Sequence, residues 1–192
     1  MAEFLTTHKI SSNIEDIIMD AENELTLISP YLQVSKTLHQ RLIEASNRGV
    51  YIKIVYGKNE LDNNQFSSLI DLRRIELVFN QNLHAKCYFN ESKMIITSMN
   101  LYEFSEKNNR EMGVLIDKIK DKELFEKALK EVNSIVDSAE KIYLGDLSKK
   151  YFGKEKINNS DNHNGYCLRC SNKIDFNPDK PYCYDCFYVW AQ

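Results

Sequence analysis

Leu83-His84-Ala85-Lys86-Cys87-Tyr88-Phe89 is answered, after a short polar turn, by Ile95-Ile96-Thr97-Ser98-Met99-Asn100-Leu101. Read as a strand, the first stretch puts alternate side chains on one face, so His84 and Lys86 project together. By the same alternation Cys87 falls on the opposite face as a small core residue. A turn around Asn90-Glu91-Ser92 sends the chain back as a second strand, Met94 to Thr97. At its end Ser98 and Asn100 offer a hydroxyl and an amide to whatever the His/Lys pair holds. A nucleophile, a cation and two neutral donors are the parts of a phosphoryl-transfer site that needs no metal.

Working outward, the preceding residues read as alternating helices and strands. Ser12-Asn13-Ile14-Glu15 has the form of a capping box, with Ile14, Ile17, Ile18 and Ala21 on one helical face. Glu24 to Ser29 reads as a strand stopped by Pro30. A helix from about Val34 to Arg48 would bury Leu38, Leu42 and Ala45, with Gly49 as its C-terminal stop. Val50 to Tyr56, rich in β-branched residues, is the clearest strand. A helix with Phe66, Leu69, Ile70 and Leu72 and a strand at Ile75–Phe79 follow. The alternation implies a largely parallel sheet with helices packed on it, and the hairpin adds antiparallel strands, so an α/β fold with a mixed sheet is expected. Leu101 to Lys107 reads as a short helix with Asn100 near its cap, which would point backbone N–H groups at a phosphate. Met112 to Ile116 is a returning strand with Glu111 at its start. A long amphipathic helix from Asp121 to Tyr143 would turn Leu124, Ala128, Val132, Ile135, Ala139 and Ile142 inward.

The motif residues resemble the phospholipase D superfamily, whose signature is His-x-Lys, then Gly-Ser-x-Asn, then a carboxylate. The corresponding residues are His84-Ala85-Lys86, Thr97-Ser98-Met99-Asn100, and Glu111 in Asn109-Arg110-Glu111-Met112-Gly113. Thr97 stands where the family usually has Gly, and Glu91 where it usually has Asp. The resemblance covers roughly residues 1–145 and implies a phospholipase D-like α-β-α sandwich. It also implies roles. His84 attacks phosphorus and forms a phosphohistidine, Lys86, Ser98 and Asn100 hold the non-bridging oxygens, and Glu111 fixes the His84 tautomer. In the family a second His, from a second copy of the motif, protonates the leaving oxygen. This chain carries one copy, so a homodimer with its site across the two-fold axis is implied. For an isolated His-x-Lys, a surface histidine and a solvated lysine would be the ordinary reading; Ser98, Asn100 and Glu111 together argue against it. His8, His39 and His163 have no such surroundings.

Composition bounds the rest. The 192 residues are 43% hydrophobic and 28% charged with a formal net charge of −3, an ordinary globular balance that does not coat nucleic acid by bulk charge. Six glycines lie too far apart for a phosphate-cradling loop, which excludes nucleotide-loop chemistry. The start lacks a signal-peptide pattern and no apolar run is long enough to span a membrane, so a cytoplasmic protein without membrane insertion is expected.

After the long helix the composition shifts. Residues 1–145 are expected to form the catalytic domain, 146–164 a polar linker and 165–192 a separate module. There Cys167-x-x-Cys170 and Cys183-x-x-Cys186 are separated by twelve residues, the spacing of a four-cysteine zinc ribbon. The module is too short to bury a core of its own, so a structural zinc would supply most of its folding energy. Two disulfides are the rival arrangement. Aromatic residues around it, among them Tyr166, Phe176 and Trp190, could stack on bases or pack against protein.

The leading expectation is a metal-independent phosphodiesterase, an endonuclease acting on DNA or RNA through a homodimeric histidine site. A soluble phospholipase or phosphatidyl transferase is the enzymatic alternative. A catalytically silent nucleic-acid-binding module is the other, favoured by the bulk of Thr97 at the usual Gly position.

Overall fold

The computed structural model describes residues 1–57, 61, 63–102, 109–143, 164–167, 170, 173–175 and 183. The chain divides into two compact units, Met1–Tyr151 and Phe152–Gln192. The first is built on one eight-stranded mixed sheet with helices against it. Its strands are β1 (Glu3–Thr6), β2 (Glu24–Ser29), β4 (Tyr51–Tyr56), β5 (Ile75–Phe79), β6 (Cys87–Asn90), β7 (Lys93–Thr97), β9 (Met112–Asp117) and β10 (Glu140–Ile142), in the spatial order β1-β9-β7-β6-β2-β4-β5-β10. The helices are α1 (Thr7–Asp20), α2 (Lys36–Asn47), α3 (Asn63–Ile70) and α4 (Lys122–Asp137). A two-residue ladder, β3 (Leu32–Gln33) with β8 (Leu101–Tyr102), lies apart from the main sheet.

The β-branched runs form the parallel centre: β2 pairs with β4 and β4 with β5. Such strands are covered on both faces and read as continuous apolar segments. One layer joins Ile10, Ile14 and Ile17 of α1 to Leu27, Ile54, Tyr88 and Ile95 of the sheet. The opposite layer packs Phe125 and Val132 of α4 on Ile28, Val55, Val78, Cys87, Met94 and Ile116. Gly49 closes α2 with φ +92°, the left-handed conformation that glycine adopts without a Cβ penalty.

Several expected boundaries move. α1 begins at Thr7, so Ser12 is not a cap; its hydroxyl and the Asn13 amide both donate back to the Lys9 carbonyl inside the helix. β1 was not legible because its four residues form an exposed edge strand with only Leu5 buried. The last helix stops at Asp137, and Glu140–Ile142 instead pairs with β5 as an edge strand. Phe125, not Leu124, is the inward residue of its first turn. Leu101 and Tyr102 are strand, not the start of a helix; residues 103–108 of that expected helix lie outside the described residues. The expected linker, 146–164, is also outside them except for Asn164, which belongs to β11 (Asn164–Tyr166). β11 pairs with β12 (Lys173–Asp175) in the second unit.

The β6–β7 hairpin is tied to the turn before β2 by Glu91. Its carboxylate accepts from the backbone N–H groups of Glu22 at 2.8 Å and Glu24 at 3.3 Å. Partial burial works against the charge, but the N–H groups of Glu22, Glu91, Glu24 and Asn23 outweigh it and hold the pKa below the usual carboxylate value. The residue at the family's Asp position is therefore a strut. A carboxyl that titrates lower when folded contributes stability above its unfolded value near 4.5, lost as pH falls through its folded pKa. Glu91→Gln is expected to flatten the acid limb of Tm against pH; an unchanged limb would mean the carboxylate does not hold the hairpin.

Candidate active site

His84 and Lys86 sit just before β6, in an irregular run held by the Leu83 N–H to Asn80 carbonyl bond at 3.0 Å. The strand expected from Leu83 starts only at Cys87. The ladder nevertheless reaches Lys86, whose carbonyl accepts from Thr97 N–H at 3.2 Å. His84 is exposed and Lys86 half-buried, with Lys86 Nζ donating to the His84 carbonyl at 2.9 Å. His84, Lys86 and Ser98 line one cavity of about 300 Å³ together with the buried Ile28 and Cys87 and the exposed Ile96. Cys87 is thus a core residue, as expected, yet borders the same cavity as His84, because strict alternation does not run through the irregular residues before it. Burial pushes its thiol up to about 12, so no thiolate competes as a nucleophile.

Ser98 is fixed from several directions. Its N–H donates to the Met112 carbonyl at 3.0 Å, and its Oγ accepts from Met112 N–H at 3.1 Å. The hydroxyl donates to the Glu111 carboxylate in a very short hydrogen bond. Glu111 is itself anchored through its N–H to Thr7 Oγ1 at 2.8 Å. The carboxylate therefore orients Ser98; no Glu111–His84 hydrogen bond is present among the described residues. The loop after Ser98 is pinned by the buried Tyr88 hydroxyl, which donates to the Met99 carbonyl at 2.7 Å, and by Leu101 N–H on Ser29 Oγ at 3.0 Å.

Thr97 fits because of what faces it. Thr97 and Gly113 are cross-strand partners, and a Cβ on Gly113 would lie 3.0 Å from both Thr97 Cβ and the Ile96 carbonyl. The bulk that the family usually omits at position 97 is thus omitted on the neighbouring strand. Thr97 Oγ1 donates to the Met112 carbonyl at 2.8 Å and accepts from Met99 N–H at 3.1 Å, so its hydroxyl is spent on the turn.

Asn100 does not join this group. It borders a separate cavity of about 70 Å³ beside Ser11, Glu15, Gln33 and Ser35, and its buried Oδ1 has no hydrogen-bond partner among the described residues. Sequence reasoning overlooked Glu131, which lines the His84 cavity from α4. The signal was available: Glu131 falls on the same helical face as Ala128, Val132 and Ile135, at i+3 from the first.

In the second unit, Sγ atoms of Cys167, Cys170 and Cys183 lie within 4.8 Å of one another, with Cys170 and Cys183 at 3.6 Å. Thiolates at the corners of a zinc tetrahedron with Zn–S of about 2.3 Å are about 3.8 Å apart, so the three residues suit that ion. Cys186 lies outside the described residues.

Residues 14–136 match the protein family described as "Cardiolipin synthase, PLD-like domain". This chain belongs to that family. Among solved structures, its PLD-like fold is similar to the phospholipase D family member Nuc from Salmonella typhimurium, with TM-score 0.61 and 17% identity over 74% of this chain and 99% of that one. NucT from Helicobacter pylori gives TM-score 0.64 and 14% identity over 74% and 99% of the two chains. The archaeal chromatin protein TrmBL2 gives 0.55 and 21% over 73% of this chain and 54% of that one. No curated protein matches the sequence. At these identities the structures establish the PLD-like fold, a phosphodiesterase fold, and nothing finer.

The Thr97/Gly113 exchange of bulk makes a sharp test. Gly113→Ala alone is expected to destabilise by about 1–3 kcal/mol, since the new Cβ meets backbone and Thr97. Adding Thr97→Gly should recover part of that loss, giving a coupling of at least about 0.5 kcal/mol in a double-mutant cycle by urea unfolding. Additive effects would show that the two positions do not share the space.

Proposed function

We propose that the chain is a metal-independent phosphodiesterase that cleaves nucleic acid through a phosphohistidine at His84. The observation that carries the reading is the convergence of His84, Lys86 and Ser98 on one cavity in a member of this family. An imidazole nitrogen of His84 attacks phosphorus, and the bond from phosphorus to the leaving oxygen breaks as the new P–N bond forms. Lys86 and Ser98 stabilise the charge gathered on the non-bridging oxygens. Water then attacks the same phosphorus, the P–N bond breaks, and free His84 returns. Glu111 acts on Ser98, holding its hydroxyl in place. Asn100, facing its own small cavity, is assigned no step.

The leaving oxygen needs a proton, and a second copy of this chain supplies it from its own His84. A bare apolar surface beside the site supports that pairing. Phe4, Ile96, Met112 and Val114 share one sheet face by register, and are 63%, 43%, 63% and 36% exposed. α4 covers the centre of this face and leaves these four uncovered next to Ser98. Exposed rows of this kind mark association surfaces.

Nucleic acid is favoured as substrate over lipid by two considerations. TrmBL2, whose fold is similar, is a chromatin protein with a novel mode of DNA binding. Among the described residues, no helix is long and apolar enough to cross a membrane. The cysteine module is read as a ribbon in which Cys167, Cys170, Cys183 and Cys186 hold a structural zinc, a module type often attached to nucleic-acid enzymes.

Hydrolysis of DNA, RNA and phospholipid vesicles in EDTA-containing buffer tests the reading. Nucleic acid is expected to be cut, and His84→Ala to lower the rate at least about a thousandfold. Headgroup release from phospholipid would place the chain with the lipid enzymes. Nucleic-acid binding without turnover in either protein would make it a silent binder. Metal analysis is expected to give one zinc per chain, lost together with the fold of the second unit in Cys170→Ala. A zinc-free chain with an intact second unit would overturn that assignment.

A further inference from the structure

We infer that the cavity beside His84 holds one unpaired nucleobase, with Glu131 reading its amino group. The inference rests on the nuclease reading above and names the form of its substrate. On α4, Ala128, Glu131, Val132 and Ile135 stand at i, i+3, i+4 and i+7, one face of the helix, and all four line the cavity. The buried Ile28 and Cys87 form the floor, and the exposed Ile96 lines the cavity with His84, Lys86, Thr97 and Ser98. The result is a slot with apolar walls, a phosphate-binding group at one end and a carboxylate on the helix wall.

At about 300 Å³ the slot is at the small end of ligand clefts and has room for one planar heterocycle between its apolar walls. A base next to a phosphate held by Lys86 and Ser98 would enter it as bases enter other enzyme pockets, between apolar side chains after leaving the stack. An acyl chain would fit the apolar walls equally well but gains nothing from a carboxylate, which it would have to desolvate.

Glu131 is chemically free for the task. Two other α4 acids take lysines four residues away: Glu123 with Lys127 at 2.6 Å, and Glu126 with Lys122 at 3.8 Å. Glu131 makes no hydrogen bond or ion pair among the described residues, and it is exposed. A carboxylate accepts and cannot donate, so it recognises the amino-bearing edges of cytosine, adenine and guanine. Thymine and uracil present carbonyl oxygens there and are disfavoured. Because the base must be out of its pair, single strands are the substrate form.

The test compares single-stranded oligo-dC, oligo-dA and oligo-dT, and a dC·dG duplex, using kcat/KM of the wild-type protein and Kd of its His84→Ala variant. The expected result is a preference for oligo-dC and oligo-dA over oligo-dT of about tenfold or more, the low end for one base-edge contact. The duplex should be cleaved more slowly than either. Glu131→Gln, at an exposed position that leaves folding intact, should collapse the preference, because an amide can both accept and donate. Equal use of all single strands, or a preference unchanged in Glu131→Gln, overturns the inference while the nuclease reading stands. Selective binding of oligo-dC by both proteins without cleavage sinks the nuclease reading and leaves the base slot in place.

Discussion

The site depends on the register of three antiparallel strands. Cys87 opposes Ile96, and Ile96 opposes Val114. That alignment brings Lys86 level with Thr97, and Ser98 level with Met112 and Glu111. A slip of one residue would send every side chain on these strands to the other face, taking Ser98 away from the His84 cavity and the buried row into solvent. The constraint is held at one end by the Glu91 strut and at the other by the Thr97–Gly113 contact, where one residue's bulk fills the space the other leaves. The apparent defect in the motif, a Thr at the usual Gly position, is absorbed by this register.

Phosphoryl transfer by an imidazole asks for few parts, and their separation in the fold is instructive. The nucleophile candidate sits in an irregular run, exposed to incoming substrate. Of the groups proposed to hold charge, Lys86 shares that run, while Ser98 follows directly on β7, where hydrogen bonds to Met112 and Glu111 fix it. Such preorganisation is what makes a polar group effective at a developing charge. Glu111 serves this arrangement through Ser98, a role distinct from the tautomer-fixing one expected from the family pattern. Beside the polar parts, α4 supplies an apolar wall with one carboxylate, a feature outside the motif altogether.

Much of this was legible in the sequence, for physical reasons that also explain the failures. Val50–Tyr56 is rich in β-branched residues and Glu24–Ser29 concentrates Leu25, Leu27 and Ile28, so the burial of these strands in the sheet announces itself. The hairpin carries its own turn. By contrast β1 and β10 are edge strands of three or four residues whose patterns are mostly exposed. Glu140–Ile142 continues a helical apolar spacing, and only pairing with β5 ends it as strand. Ser12-x-x-Glu15 has the form of a cap yet lies inside α1, because Thr7 to Ser11 continue the helix toward β1. Asn100's separate cavity and Glu131's place beside His84 are products of tertiary packing, set by residues far apart in the chain. The compensation of Thr97 by Gly113 is of the same kind, a contact across strands that no local pattern encodes.

The stereochemical course at phosphorus reports on the covalent route itself. A dinucleotide phosphorothioate of one configuration would be cleaved in isotopically labelled water and the configuration of the product determined. Two successive displacements, first by His84 and then by water, each invert the centre, so overall retention is expected. Net inversion would mean that water attacks phosphorus directly, contradicting the proposal that His84 is the nucleophile.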